Sequence, residues 1–170
     1  MMNIGIVGLG LIGGSYAQAL RQKDATIIGY DINPKSVQFA LDQQMIDQGH
    51  SDLKENLSLC DVVFVCLYPE QTVQYIESHQ ALFKENAVVS DVSGVKGYLI
   101  QTLKPIYESS PQFDIVFAHP IAGKETSGIH ASDGTIFKNM NFIITPHPFN
   151  QSKSIELISS LARQMGFNRI

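Results

Sequence analysis

Disulfides have almost no raw material in this chain. Its only cysteines are Cys60 and Cys66, and Cys66 lies inside an apolar run, so no covalent framework is implied. That usage fits a reduced, cytoplasmic setting. Positive charge is also scarce: 12 Lys and Arg face 16 Asp and Glu, and a net charge of −4 leaves no footprint for nucleic acid or an anionic membrane. No apolar stretch reaches the length of a membrane span. The five histidines (50, 79, 119, 130 and 147) lack helical ligand spacing, and no Cys/His cluster occurs, so no metal site is expected. Residues 4–12 followed by Ala17-Gln18-Ala19 mimic a signal peptide, but a basic leader is missing and glycines interrupt the apolar core. The segment belongs to the fold.

What is present is alternation. Apolar, β-branched runs recur at Asn3–Val7, Thr26–Tyr30, Val62–Leu67, Ala87–Val92, Ile115–Ala118 and Phe142–Thr145. Their continuous apolar character suits strands covered on both faces. Between them lie helical spacings. Asn33-Pro34 reads as an N-cap and first-turn proline, with Val37, Ala40 and Leu41 on one face. Pro69 opens a helix carrying Val73 and Ile76, and residues 97–107 and 151–165 read as two more. Repeated strand–helix–strand units predict an α/β, Rossmann-type doubly wound, mostly parallel sheet, with all 170 residues in one domain.

Four glycines crowd the stretch GLGLIGGSYA. Gly8-Leu9-Gly10-Leu11-Ile12-Gly13 is G-x-G-x-x-G, set after the first strand and before a helix with Tyr16, Ala17 and Leu20 on its inner face. In such a unit the first glycine permits the turn, the second admits a pyrophosphate, and the third lets helix and strand pack closely. The phosphates then meet the positive end of the helix. Asp31 closes the second strand, 18 residues past Gly13. Its carboxylate can accept both adenosine ribose hydroxyls and would repel a 2′-phosphate. NAD is therefore favoured over NADP, although Lys35 is near. The plainer reading is a glycine turn plus an Asx turn over Asp31-Ile32-Asn33.

Ligands of such sheets bind beyond the carboxyl ends of the strands. Leu67, Tyr68 and Pro69 stand at the end of the third of these runs and border the expected cofactor. Ser90-Asp91-Val92-Ser93-Gly94-Val95-Lys96 follows the next, and Ala118-His119-Pro120-Ile121-Ala122-Gly123-Lys124-Glu125-Thr126-Ser127-Gly128 the one after. His119 alone among the histidines sits where a strand meets a glycine-bounded loop on that edge. A neutral imidazole there can take a proton from an alcohol as its hydride leaves; equally, a histidine before proline can be a structural loop residue. Ser93 reads equally as a turn residue, Glu125 and Lys96 by default as surface charges, and Cys66 as core.

In order and spacing, GLGLIGGS, D-I-N-P, D-V-S-G-V-K and H-P-I-A-G-K-E-T-S-G resemble the prephenate/arogenate dehydrogenases of tyrosine biosynthesis. The last motif is the specific one. The resemblance implies NAD(P)-dependent oxidation of a cyclohexadienyl alcohol with loss of CO₂. It gives His119 the role of polarising or deprotonating the hydroxyl, and Glu125 that of shaping or gating the pocket. The family's fourth residue in D-x-x-S-x-K is a serine that hydrogen-bonds the histidine or substrate. Here that residue is Gly94, with Ser93 one place earlier as a stand-in for both catalytic and cofactor contact.

A substrate with two carboxylates calls for arginine. The three arginines are Arg21, Arg163 and Arg169, none in the loops around His119, where Lys96 and Lys124 are the nearby cations. In the family an anchoring arginine lies in a following helical domain that also forms a homodimer. The chain thus reads as the cofactor-binding part of a prephenate dehydrogenase lacking that domain, binding NAD but turning over prephenate poorly alone. Arogenate as substrate, another NAD(P) oxidoreductase acting on a small hydroxy acid or imine, and a non-catalytic NAD-binding module are the competing readings.

Overall fold

The computed structural model describes residues 1–21, 24–109 and 111–170. Its elements run β1 (Met2–Val7), α1 (Leu11–Leu20), β2 (Ala25–Tyr30), α2 (Pro34–Asp42), β3 (Gln48–His50), β4 (Val62–Val65), α3 (Pro69–His79), β5 (Val88–Asp91), α4 (Lys96–Thr102), α5 (Lys104–Glu108), β6 (Asp114–Ile121), β7 (Asn141–Thr145) and α6 (Ser152–Gln164). The seven strands form one sheet in the order β3-β2-β1-β4-β5-β6-β7. All neighbours are parallel except β6 and β7.

Alternation along each strand builds two cores. Ile4, Ile6, Phe64 and Val116 face α1, α2 and α6, while Val7, Val63, Val65 and Phe117 face α3, α4 and α5. Each fully buried aliphatic or aromatic side chain contributes about 1.5–3 kcal/mol, so a strand buried on both faces must be apolar at every position.

Several expectations need correcting. The helix expected over residues 97–107 breaks at Leu103 into α4 and α5, because Pro105 has no N–H to continue it and its ring crowds the preceding turn. Strand β3 was not expected; its three residues pair Ile28–Tyr30 of β2. The 142–145 run is antiparallel rather than part of the parallel winding. The segment joining it to β6 contains only a short 3₁₀ turn, Ile129–Ala131, and so provides no crossover helix. Pairing with β7 also extends β6 to Ile121, which puts His119 inside a strand rather than in the following loop.

His147, in the chain's other His-Pro pair, is a core residue. It stacks on Tyr107 at 4.1 Å and its Nε2 bonds the Ile115 carbonyl at 2.9 Å. Beside it, the buried Asp114 carboxylate accepts from Asn150 Nδ2 at 2.8 Å and the Gln151 amide at 2.9 Å, tying the start of α6 to β6.

The tightest contact joins α1 to the β1 turn. A Cβ on Gly13 would lie 1.9 Å from the Gly8 carbonyl oxygen. Gly13→Ala is therefore expected to lower Tm by about 3–10 °C, the effect of about 1–3 kcal/mol of overpacking in a chain this size. Differential scanning calorimetry measures it; an unchanged Tm would mean the helix separates from the turn without cost.

Candidate functional site

Three conformational demands shape the glycine loop. Gly8 has φ +90°, and a Cβ on it would come 2.7 Å from the Cys66 carbonyl oxygen, so only glycine fits. Gly13 gives the close packing just described. Gly10 is different: nothing in the protein lies within 4 Å of where its Cβ would be. The space that this glycine leaves open faces a cleft and adjoins the N-terminus of α1, which no side chain caps. Unpaired N–H groups and the helix dipole make that end attractive to an anion.

Asp31 serves two backbone groups at once. Its Oδ2 accepts from the Leu9 amide at 2.8 Å, pinning the glycine loop, and its Oδ1 accepts from the Asn33 amide at 2.8 Å in an Asx turn. A carboxylate has about four acceptor sites, so capacity for two hydroxyls remains.

A cavity of about 420 Å³ lies over this loop and is bounded by Gly8, Gly10, Asp31, Leu67, Val92 and Ser127. It shares Gly8, Asp31 and Leu67 with a second cavity of about 500 Å³ beside Tyr75 and His79. It shares Tyr68 and Gln71 with a third of about 480 Å³ between Pro69 and Tyr98. Together they make a trough along the carboxyl edge of the sheet, and Leu67, Tyr68 and Pro69 border it. Thr126, Ser127 and Gly128 line the same cleft as the glycine loop, so the segment following His119 crosses to the start of α1. The far end of that segment is fastened to α1: the Asp133 amide donates to Ser15 Oγ at 2.9 Å, and Gln18 bonds both Ser132 Oγ at 3.1 Å and the Gly134 amide at 3.2 Å.

His119 is half-buried near the end of β6, with Nδ1 3.3 Å from the Val92 carbonyl oxygen. A carbonyl only accepts, so in the neutral imidazole this contact assigns the proton to Nδ1, and Nε2 has no hydrogen-bond partner among the described residues. Residue 94 abuts the ring: a Cβ on Gly94 would lie 3.3 Å from Cε1 and 3.5 Å from Nε2. Ser93 is buried beside it, and its hydroxyl has no hydrogen-bond partner among the described residues, His119 included. Glu125 is exposed on the crossing loop.

Lys96 departs from its surface reading. Its side chain is only 13 % exposed and its Nζ meets Asp91 Oδ2 at 2.5 Å. Burial lowers its pKa, opposed by the Asp91 carboxylate. Lys124 is taken by Asp133 at 3.2 Å and Arg21 by Asp47 at 3.2 Å, and no arginine borders the trough. Burial pushes the Cys66 thiol well up, with the nearby Asp91 charge adding to it, which leaves the thiol protonated and un-nucleophilic. Among the described residues no three His, Cys, Asp or Glu side chains gather as a metal site, and no helix is long and apolar enough to cross a membrane.

The family described as "Prephenate dehydrogenase, nucleotide-binding domain" matches residues 16–169. The chain belongs to that family. It is 29 % identical over 162 residues to the prephenate dehydrogenase of Bacillus subtilis, covering 93 % of this chain and 43 % of that protein. It is 28 % identical over 167 residues to the cyclohexadienyl dehydrogenase of Zymomonas mobilis, covering 96 % and 56 %. The crystal structure of A. aeolicus prephenate dehydrogenase in complex with hydroxyphenyl propionate and NAD+ superposes with a TM-score of 0.90 at 31 % identity, over 100 % of this chain and 59 % of that one. The chain thus spans about half the length of the curated relatives it matches.

Within this domain, the residue motifs alone do not reveal three features: the Asp91–Lys96 pair, the Val92 carbonyl as partner of His119, and Thr126-Ser127-Gly128 as a cleft wall. The first had a signal. An aspartate closing an apolar strand must find a buried donor, and Lys96 is the first cation after it. The other two depend on backbone direction, which no residue pattern encodes. Gly10→Ala is expected to leave Tm unchanged while weakening nucleotide binding roughly tenfold, or about 1.4 kcal/mol, in isothermal titration calorimetry. Undiminished affinity would show that the open space above Gly10 is not where the ligand lies.

Proposed function

We propose that this chain is the cofactor-binding part of an NAD-dependent dehydrogenase that converts prephenate to 4-hydroxyphenylpyruvate with loss of CO₂. The observation that carries the reading is His119, its Nε2 lone pair unengaged, on the same sheet edge as the glycine-loop trough. Gly8, Gly10 and Gly13, with the amides of Leu11 and Ile12 at the start of α1, would hold the diphosphate of the dinucleotide. Asp31 would accept the ribose hydroxyls. Leu67, Tyr68 and Pro69 would border the cofactor's path, with Ser93 close to its reactive end. NAD, when bound, supplies the hydride acceptor.

His119 Nε2 takes the proton of the ring hydroxyl as the carbinol hydrogen departs with its electron pair. The carbonyl so formed is conjugated to the carbon bearing the ring carboxylate. The C–C bond to that carboxylate then breaks, CO₂ leaves, and its electrons complete an aromatic ring. The resulting phenolate recovers its proton from His119, so no net proton is consumed. Aromatisation makes the sequence strongly downhill, and the protein's task is positioning. Glu125, on the exposed crossing loop, is assigned to shaping or gating the substrate's entry.

Both substrate carboxylates need cations, yet Lys96 and Lys124 are already paired and no arginine borders the trough. The 170-residue chain alone is therefore expected to bind NAD with little or no prephenate turnover, followed as NADH absorbance; vigorous turnover would refute this. NAD is expected to bind at least roughly tenfold more tightly than NADP, a margin of about 1.4 kcal/mol that Asp31→Ala removes. In the catalytically active form, His119→Asn is expected to keep NAD affinity and lower kcat by about 10²–10⁴-fold. An active His119→Asn enzyme would sink the assignment.

A further inference from the structure

The parallel ladder between β5 and β6 ends at the pair Ser90–Val116, two residues before Ala118 and three before His119. Beyond it the β5 backbone turns away, and Ala118 would present an unpaired amide and carbonyl toward the vacated side. Both are satisfied by side chains. Asp91 Oδ1 accepts from the Ala118 amide at 3.1 Å, and Lys96 Nζ donates to the Ala118 carbonyl oxygen. The same carboxylate reaches the other half of the histidine's environment. Asp91 Oδ2 accepts from the Ser93 amide at 2.8 Å, closing the turn that holds Val92 and so its carbonyl, the partner of His119 Nδ1. Lys96 Nζ, 2.5 Å from Asp91 Oδ2, balances a carboxylate that is only 1 % exposed.

One buried ion pair therefore grips the residue before His119 by both backbone groups and also shapes the turn carrying its acceptor. Both partners are shielded from solvent, 1 % and 13 % exposed, and their charged atoms are already engaged by protein groups rather than open to a ligand. We infer that Asp91 and Lys96 are positioning residues for His119, holding its imidazole in the Nδ1–H tautomer with Nε2 directed to the reacting hydroxyl. Removing either frees the Ala118 backbone, lets the ring turn, and puts the proton on the wrong nitrogen for part of the population. The catalytic consequence rests on the reading of His119 as the base; the tautomer does not.

The test uses two variants and two measurements. Lys96→Met removes the donor and keeps the stem, and Asp91→Asn keeps the shape and removes the charge. In the 170-residue chain, ¹⁵N NMR of the His119 ring is expected to show one tautomer in the wild type and a mixture in each variant. In the catalytically active form, kcat is expected to fall about 100-fold, the effect of a displacement of about 1 Å, with KM for prephenate and NAD affinity unchanged. A single Nδ1–H tautomer retained in Lys96→Met, or an undiminished kcat, overturns the inference. If Asp91→Asn does not fold, Lys96→Met decides. If the full-length wild-type protein does not oxidise prephenate, the proposed function falls, and the tautomer measurement on the 170-residue chain still decides this inference by itself.

Discussion

The approach of α1 to the end of β1 is the constraint on which the site is built. With Gly13 set against the Gly8 carbonyl, the helix starts immediately after the strand and its bare N-terminus lies at the sheet's carboxyl edge. Tyr16 and Leu20, both buried, anchor the opposite side of the helix in the core. The helix also receives Asp133 and Gly134 through Ser15 and Gln18, so it fixes the far end of the segment that leaves His119. The uncapped helix N-terminus and the segment that follows His119 thus share one mechanical support.

Two aspartates at the carboxyl ends of β2 and β5 do opposite work because their surroundings differ. Asp31 is half-exposed and spends its two oxygens on backbone amides, so its remaining lone pairs stay available to a ligand. Asp91 is sealed from solvent, and its two oxygens meet three protein donors. A buried charge without such partners would be costly. One strand end therefore keeps acceptor capacity open to solvent, while the other is fully engaged within the fold.

Much of this was legible from residue order. Apolar runs without alternation marked strands buried on both faces, and the glycine fingerprint with an aspartate 18 residues on marked the dinucleotide turn. Element boundaries were less so. Strands β4 and β5 stop at Val65 and Asp91, earlier than their apolar runs, because Leu67 and Val92 continue the hydrophobic pattern while bending into the trough. The β6–β7 pairing was invisible because nothing local distinguishes an antiparallel edge strand from a parallel one. In the site, residue types pointed to His119, but its orientation depends on a carbonyl and on an ion pair spanning a turn. Reading Lys96 as a surface charge failed because the turn at Val92–Gly94 folds it back over Asp91.

The partner of His119 is main chain rather than side chain, and this has an evolutionary consequence. A carboxylate in that role can be erased by a single codon change, whereas the oxygen of residue 92 survives any substitution there. Tautomer choice is thereby delegated to the path of the polypeptide. Drift at position 92 can reshape the trough's lining while the proton stays on the same ring nitrogen.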